Sequence, residues 1–446
     1  LEFPLQAAVL KQDATFRSGT EDFQIEDSQS VPTRGVTQRA SLAAFAQSPN
    51  NTILAASDAD GVSTLLQDRL YSSNQNNGIG TDFYRTSDDF TQGLVIEGKG
   101  VAMKVGGYVK LDMIQDLNAI DNTDIFDVSS IPVGGPQRTN NRMHVRQTRL
   151  NFDTRWETEA GGIKSFVEGD FFGTDDNGNQ TFRLRQAYGE LGRFLGGQTF
   201  TTFANIAASP ATLDFEGAIS TISIRRAQLR WTQPVFTEDL TLALALEDSS
   251  TAIELPPGSN ITGNTRTITP DLVARLRRTS TSGNMQIAGI ARILGFQPTG
   301  DPVITDNAWG INFSQVQDLS PDDKIYWQIN YGDGIASLLG GLPDVTPVGT
   351  DDAALLGYFG WMIGTTHEWN SKLSSNFTFA ESHFQNTSGQ LSTDINNLTY
   401  LAANVIWTPL ERFEFGVEYL YGKREDISGE SGIANRIQFA VFYYLP

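Results

Sequence analysis

The chain has 446 residues, 42 of them glycine, no cysteine, and a formal net charge of −20. Without cysteine there is no disulfide, no thiolate metal site and no cysteine nucleophile, and the acidic balance argues against nucleic acid as a partner. No run of about 18 apolar residues marks a transmembrane helix.

Residues 1–95 read as an N-terminal extension, rich in Ser, Asn, Gln, Thr and Asp. Val62, Leu65, Leu66 and Leu70 share one face of a short helix, as do the residues from Leu42 to Phe45; the rest is irregular. From residue 96 to 446 the dominant signal is alternation with period 2, in which successive side chains point to opposite faces of a strand. Leu240, Leu242, Leu244 and Leu246 alternate with Thr241, Ala243, Ala245 and Glu247. Ile325, Trp327, Ile329 and Tyr331 alternate with Lys324, Tyr326, Gln328 and Asn330, and the pattern recurs through Phe413–Tyr421 and Ile437–Leu445. Each run approaches the ~9–11 residues that a tilted strand needs to cross a bilayer, longer than the ~5–6 of a soluble sheet. Roughly 16 such runs give an all-β fold: a transmembrane antiparallel β-barrel of about 16 strands, preceded by the partly irregular extension.

The connections alternate as well. Short turns fall at 158–162, 233–239, 279–283, 317–322, 370–372 and 408–412, and long Gly- and Asp-rich loops at 116–141, 248–266, 332–353, 383–396 and 424–433. Short periplasmic turns and long outer loops are the habit of barrels in the bacterial outer membrane. Trp156, Trp231, Trp369 and Trp407 each stand just before a short turn, where an aromatic girdle would meet the periplasmic interface.

The segments VGGYVKLD (105–112), RQTRLNF (146–152), VEGDFFG (167–173), RLRQAYGEL (183–191), GGQTFTTF (196–203), PDLVARLR (270–277) and FGVEYLYGKRE (415–425) resemble the DcaP-like outer-membrane porins, in the same order over about residues 100–446. The resemblance implies a 16-stranded homotrimeric porin that favours dicarboxylates and related small anions. Outward small residues such as Gly169, Ala274 and Gly289 would permit close barrel contact in the trimer.

Parity assigns the water-side residues. Arg149 is expected inward on the second strand, Arg183 and Arg185 on the fourth (leaving Gln186 and Glu190 outward), Arg226 and Arg230 on the sixth, and Arg275 and Arg277 on the eighth, with Lys110 on the first. Arg149, Arg185, Arg226 and Arg275 would form one ladder, able to grip carboxylates through paired N–H groups; the alternative for any one of them is an ion pair with Asp153, Glu168, Asp170, Asp271 or Glu247 that stiffens the wall. The later strands place Asn312, Gln328, Asn330, Asn376, Glu414 and Glu418 inside. By resemblance to 16-stranded porins, residues 199–220 form a loop folded into the lumen, a constriction loop that sets Asp214 and Glu216 across from the arginines. In a narrow pore with low-dielectric walls such charges enrich solutes of opposite sign.

The expected function is passive diffusion of small hydrophilic solutes with a preference for small anions. The alternative is a non-selective general porin, or an abundant structural protein that anchors the envelope through its extension. No catalytic constellation stands out among His144, His367 and His383, and neither HExxH nor Gly-x-Ser-x-Gly occurs, so no enzyme, metal or cofactor is expected. Outer-membrane lipid surrounds the barrel, and the acidic pairs Asp175–Asp176 and Asp351–Asp352 are candidates to meet lipopolysaccharide through divalent cations.

Overall fold

Alternation carries the chain through the membrane as strands, each long enough to satisfy its backbone only by pairing on both sides, and a closed barrel is the arrangement that leaves no edge in lipid. The computed structural model describes residues 94–98, 100–175, 178–253, 262–348, 352–387 and 390–445. The expected helices around Leu42 and Val62, and most of the extension, lie outside the described residues.

The strands in chain order are β1 (Leu94–Gly98), β2 (Val101–Asp116), β3 (Asn140–His144), β4 (Arg149–Thr158), β5 (Gly161–Thr174), β6 (Gln180–Leu191), β7 (Phe194–Phe200), β8 (Arg225–Val235), β9 (Thr237–Glu247), β10 (Gly263–Thr267), β11 (Asp271–Ser280), β12 (Gly283–Pro298), β13 (Ile304–Asp318), β14 (Asp323–Asp333), β15 (Val345–Val348), β16 (Asp352–Leu355), β17 (Gly357–Asn370), β18 (Leu373–Gln385), β19 (Ile395–Leu410), β20 (Phe413–Asp426) and β21 (Ser431–Tyr444). They build a closed 16-stranded antiparallel barrel, sealed where β2 pairs with β21, from Tyr108↔Tyr444 to Asp116↔Arg436. β3 and β4 both pair with β2 and share one strand position; β10 and β11 share another beside β12. β1 pairs with Val101–Val105 of β2, below the point where β21 ends, so a strand starts just ahead of the expected boundary at residue 95.

The short turns fall where the alternation breaks, and one more joins β6 to β7 at Gly192, whose φ of 57° suits glycine. Two loops differ from expectation. The last, expected over 424–433, shrinks to 427–430 because β20 runs on to Asp426 and β21 begins at Ser431. The segment before residue 356 carries its own hairpin, β15–β16, outside the barrel sheet.

Along the barrel the outward face is apolar: Leu229, Leu244, Leu246, Leu272, Ile287, Ile311, Phe313 and Phe439 are exposed, as a lipid-facing band requires. Trp369 and Trp407 are 61% and 50% exposed at the short-turn end, and Trp156 and Trp231 are half-buried on the same outward parity. Among the described residues no helix is long and apolar enough to cross a membrane.

Candidate functional site

Inside the barrel, residues 201–224 leave β7 and fold against the wall. A loop withdrawn from water must find partners for its backbone groups, and amide side chains on alternate wall positions supply them. Gln228 donates to the Phe200 carbonyl at 2.9 Å, Gln286 to Phe203 at 3.2 Å, Gln328 to Ala208 at 3.0 Å, Asn330 to Ser220 at 2.6 Å, Asn404 to Ala211 at 2.8 Å and Gln438 to Leu213 at 3.2 Å. Carboxylates serve the N–H groups: Glu247 accepts from Thr202 N at 2.6 Å, and Glu418 from Leu213 N and Asp214 N at 3.0 and 2.8 Å. Glycine permits the close approach. A Cβ on Gly364 would stand 2.4 Å from Pro210 Cγ, and one on Gly416 2.6 Å from Leu213 Cδ2.

This seam corrects part of the expected lumen. Asn312, Gln328, Asn330, Asn376, Glu414 and Glu418 do point inward, but all are buried, and most of them bind the loop or each other instead of facing solute. Lys110 is likewise fully enclosed. Its ammonium is spent on Asp112 at 2.8 Å, Gln147 at 2.5 Å and the Leu213 carbonyl at 2.5 Å, so it is a strut for the loop and not a pore-lining charge.

The arginines divide into two groups rather than one ladder. On β4 and β6, Arg149, Arg183 and Arg185 surround two acids of β5. Arg185 Nε donates to Glu168 at 3.0 Å and its Nη1 to Asp170 at 2.7 Å; Arg183 grips Asp170 with Nε and Nη2 at 3.0 and 2.9 Å; Arg149 stands 3.8 Å from Glu168. Both Arg185 and Gln186 are buried inward, which strict alternation forbids. A β-bulge explains it: Glu168 faces Gln186, Gly169 faces Leu184, and Arg185 is the extra residue. Gln186 therefore does not face outward as expected.

On β8 and β11, Arg226, Arg230, Arg275 and Arg277 have no ion-pair carboxylate among the described residues, and Nε of Arg226, Arg230 and Arg275 is buried without any hydrogen-bond partner. Arg226 donates to Ser250 at 2.5 Å, and Arg277 to Gln286 at 3.1 Å and to the loop's Asn205 at 3.3 Å.

The loop acids are not set as a row opposite these arginines. Asp214 is buried, lies 3.6 Å from Arg436 of β21, and accepts from Phe126 N at 2.9 Å, which ties this loop to the one after β2. Glu216 is half-buried and reaches toward Gly340, where an added Cβ would lie 3.0 Å from its Oε1. Burial raises the pKa of Asp214. Burial also raises Glu216, to about 7, helped by the nearby Asp214 and Asp127 and opposed by Arg225 and Arg183.

Several functional positions escaped the sequence reading. Arg436 and Arg292 are wholly buried: Arg436 pairs with Asp116 at 2.6 Å, and Arg292 with Asp271 at 3.1 Å and Asp344 at 3.3 Å. Each fastens an outer loop inside the barrel. Their signal was parity, since both fall on the inward positions of alternating strands. Of the acidic pairs, Asp175 accepts from Asn179 N at 2.7 Å and Asp352 from Ala353 N at 2.8 Å, while Asp176 and Asp351 lie outside the described residues. Among the described residues no group of three metal-ligating side chains occurs. His144, His367 and His383 are each engaged with a different neighbour: the Asp124 carbonyl, Asp323 and Asn397.

The sequence matches the DcaP outer membrane protein family over residues 59–445. No curated protein matches it. Among solved structures, the outer membrane channel DcaP of Acinetobacter baumannii superposes with a TM-score of 0.70 at 22% identity, covering 78% of this chain and 99% of that one. An anion-selective porin from Comamonas acidovorans reaches 0.51 at 10% identity, with 77% and 100% covered. At these identities the structural likeness speaks to the fold.

Proposed function

Because the chain belongs to the DcaP outer membrane protein family, we propose that it is an outer-membrane porin for passive diffusion of small hydrophilic solutes, with a preference for small anions such as dicarboxylates. The observation that carries the preference is the group on β8 and β11: Arg226, Arg230 and Arg275 form no ion pair among the described residues, in a chain whose formal net charge is −20; Arg277, fully enclosed by Gln286 and Asn205, adds charge behind them. A guanidinium with free N–H groups in a water-filled channel offers a carboxylate a weak, planar docking edge. A series of such edges passes an anion along without trapping it. Two structural neighbours, an outer membrane channel and an anion-selective porin, agree with the channel and with the preference respectively. An envelope anchor without a working pore would pass no current across a planar bilayer, and an enzyme would need a nucleophile and base held together, which the scattered histidines do not offer.

In this reading residues 96–446 are the barrel and residues 1–95 its extension. Trp156, Trp231, Trp369 and Trp407 form the periplasmic girdle, and outer-membrane lipid and lipopolysaccharide surround the wall. The protein is a homotrimer. Of the small outward residues, Gly169 is covered by its own Phe182, whose Cζ would lie 2.1 Å from an added Cβ. Ala274 and Gly289 are cross-strand partners, and they floor an apolar depression of about 650 Å³ walled by Leu229, Trp231, Leu244 and Leu272. Native mass measurement in detergent is expected to give three copies, and a monomer at every concentration would contradict the trimer.

Glu216 adds a pH dependence. Its carboxyl is charged above about pH 7 and neutral below, so acidification removes a negative charge from the loop tip. The chloride-over-potassium permeability ratio is expected to rise about twofold between about pH 8 and pH 6. Glu216→Gln is expected to abolish the step; an unchanged step in that variant would assign it elsewhere.

A further inference from the structure

The inward loop is fastened from β2, β20 and β21 at Leu213, and two residues later Phe215 meets the adjoining wall at β5, which is separated from β2 only by β4. Phe215 lies 4.1 Å from Phe172 of β5, tilted by 31°. Three guanidiniums stack around the pair: Arg185 at 5.4 Å from Phe215, Arg183 at 5.5 Å from Phe215 and 5.6 Å from Phe172, and Arg146 at 5.3 Å from Phe172. The edges of these cations are occupied, save for Nε of Arg146. Arg183 and Arg185 spend theirs on Asp170 and Glu168, and Arg146 donates to the Phe172 carbonyl at 3.1 Å and Thr174 Oγ1 at 2.6 Å, with Asp124 on its other side. A guanidinium whose edge is satisfied still has its face for an aromatic ring. Asp170 and Glu168 thus hold the arginines flat, and the arginines present a prepared seat for Phe215. The bulge at Arg185 is what allows consecutive wall residues to serve both the acids and the ring.

We propose that this stack is a clasp that sets the aperture of the pore: Phe215 is the positioning residue of the loop tip, and Arg185 both contributes charge to the lumen and holds the loop. The proposal rests on the porin reading above and deepens it, because it separates arginines that shape the pore from those that only charge it. Arg275 belongs to the second kind, having no aromatic or carboxylate partner among the described residues.

Single-channel conductance in about 1 M potassium chloride tests the clasp, since a Debye length of about 3 Å there silences the wall charges and leaves the open cross-section to set the current. Phe215→Ala is expected to raise conductance by at least about 1.5-fold, with Phe215→Tyr close to wild type. Phe172→Ala breaks the same stack from the wall and stands in if Phe215→Ala does not fold. Arg185→Gln is expected to raise high-salt conductance and to lower anion preference in dilute salt, whereas Arg275→Gln lowers the preference in dilute salt. Unchanged or smaller conductance in both alanine variants would overturn the clasp. A failure of the anion reading would appear separately, as an Arg275→Gln channel whose reversal potential does not move while the alanine variants still conduct more.

Discussion

Neutralising Arg230 and Arg275 together is expected to lower the chloride-over-potassium permeability ratio about tenfold, equivalent to about 1.4 kcal/mol of the pore's preference. Both side chains point inward, on β8 and β11, and the Nε of each lacks a partner. No acid among the described residues forms a close ion pair with them, although Glu247 lies within electrostatic reach of both, so the charge lost is wall charge that no ion pair holds. The same variant should weaken current block by succinate, because two N–H edges disappear from the path. In about 1 M salt the difference should fade as screening shortens to about 3 Å. Arg278→Gln is the control: it sits on the outward parity of β11, 66% exposed and paired with Asp239 at 2.7 Å, and should leave the ratio within about a third of wild type. Equal ratios in wild type and the double variant would make Arg230 and Arg275 wall struts.

The largest effect on stability is expected from Arg436→Ala. Arg436 is fully buried between Asp116, at 2.6 Å, and Asp214, at 3.6 Å, with the Asn122 carbonyl at 3.1 Å and the Phe126 ring 5.3 Å away. Removing the cation leaves two buried carboxylates facing each other and unties the loop after β2 from the inward loop. Breaking a buried pair in this way costs about 3–5 kcal/mol. Urea unfolding of the detergent-solubilised barrel, followed by tryptophan fluorescence, should show the midpoint falling accordingly, and conductance should become noisy as Asp214 loses its place. A midpoint within error of wild type would mean that Asp116 and Asp214 find other partners.

The barrel was legible in the sequence because its signal is repeated: every crossing strand alternates, and every short turn interrupts the alternation. Parity also carried Arg149, Arg226, Arg230, Arg275 and Arg277 to the inner face. It failed at Gln186, expected outward and found inward, because a bulge at Arg185 inserts one residue and leaves no mark in a single sequence. It overstated the lumen on the later strands, because an inward Asn or Gln looks the same whether it meets water or a loop. Only the fold reveals that Gln286, Gln328 and Asn404 are covered by residues 201–224. Pairing of the arginines with inward acids was open from the sequence, but which arginine takes which acid was not. Glu168 and Asp170 were readable as inward acids, but their hold on Arg183 and Arg185 depends on the registers of β4, β5 and β6. The stack at Phe215 joins it to Phe172 and Arg183, far from it in the sequence, and no local pattern announces it.

The central claim is that unpartnered lumen arginines give an acidic protein an anion-preferring pore. The reversal potential of single wild-type channels in a tenfold potassium chloride gradient, at dilute salt and neutral pH, tests it most directly. The expected potential has the sign set by chloride and diminishes when succinate occupies the pore. A potential near zero, or of the sign set by potassium, would contradict it.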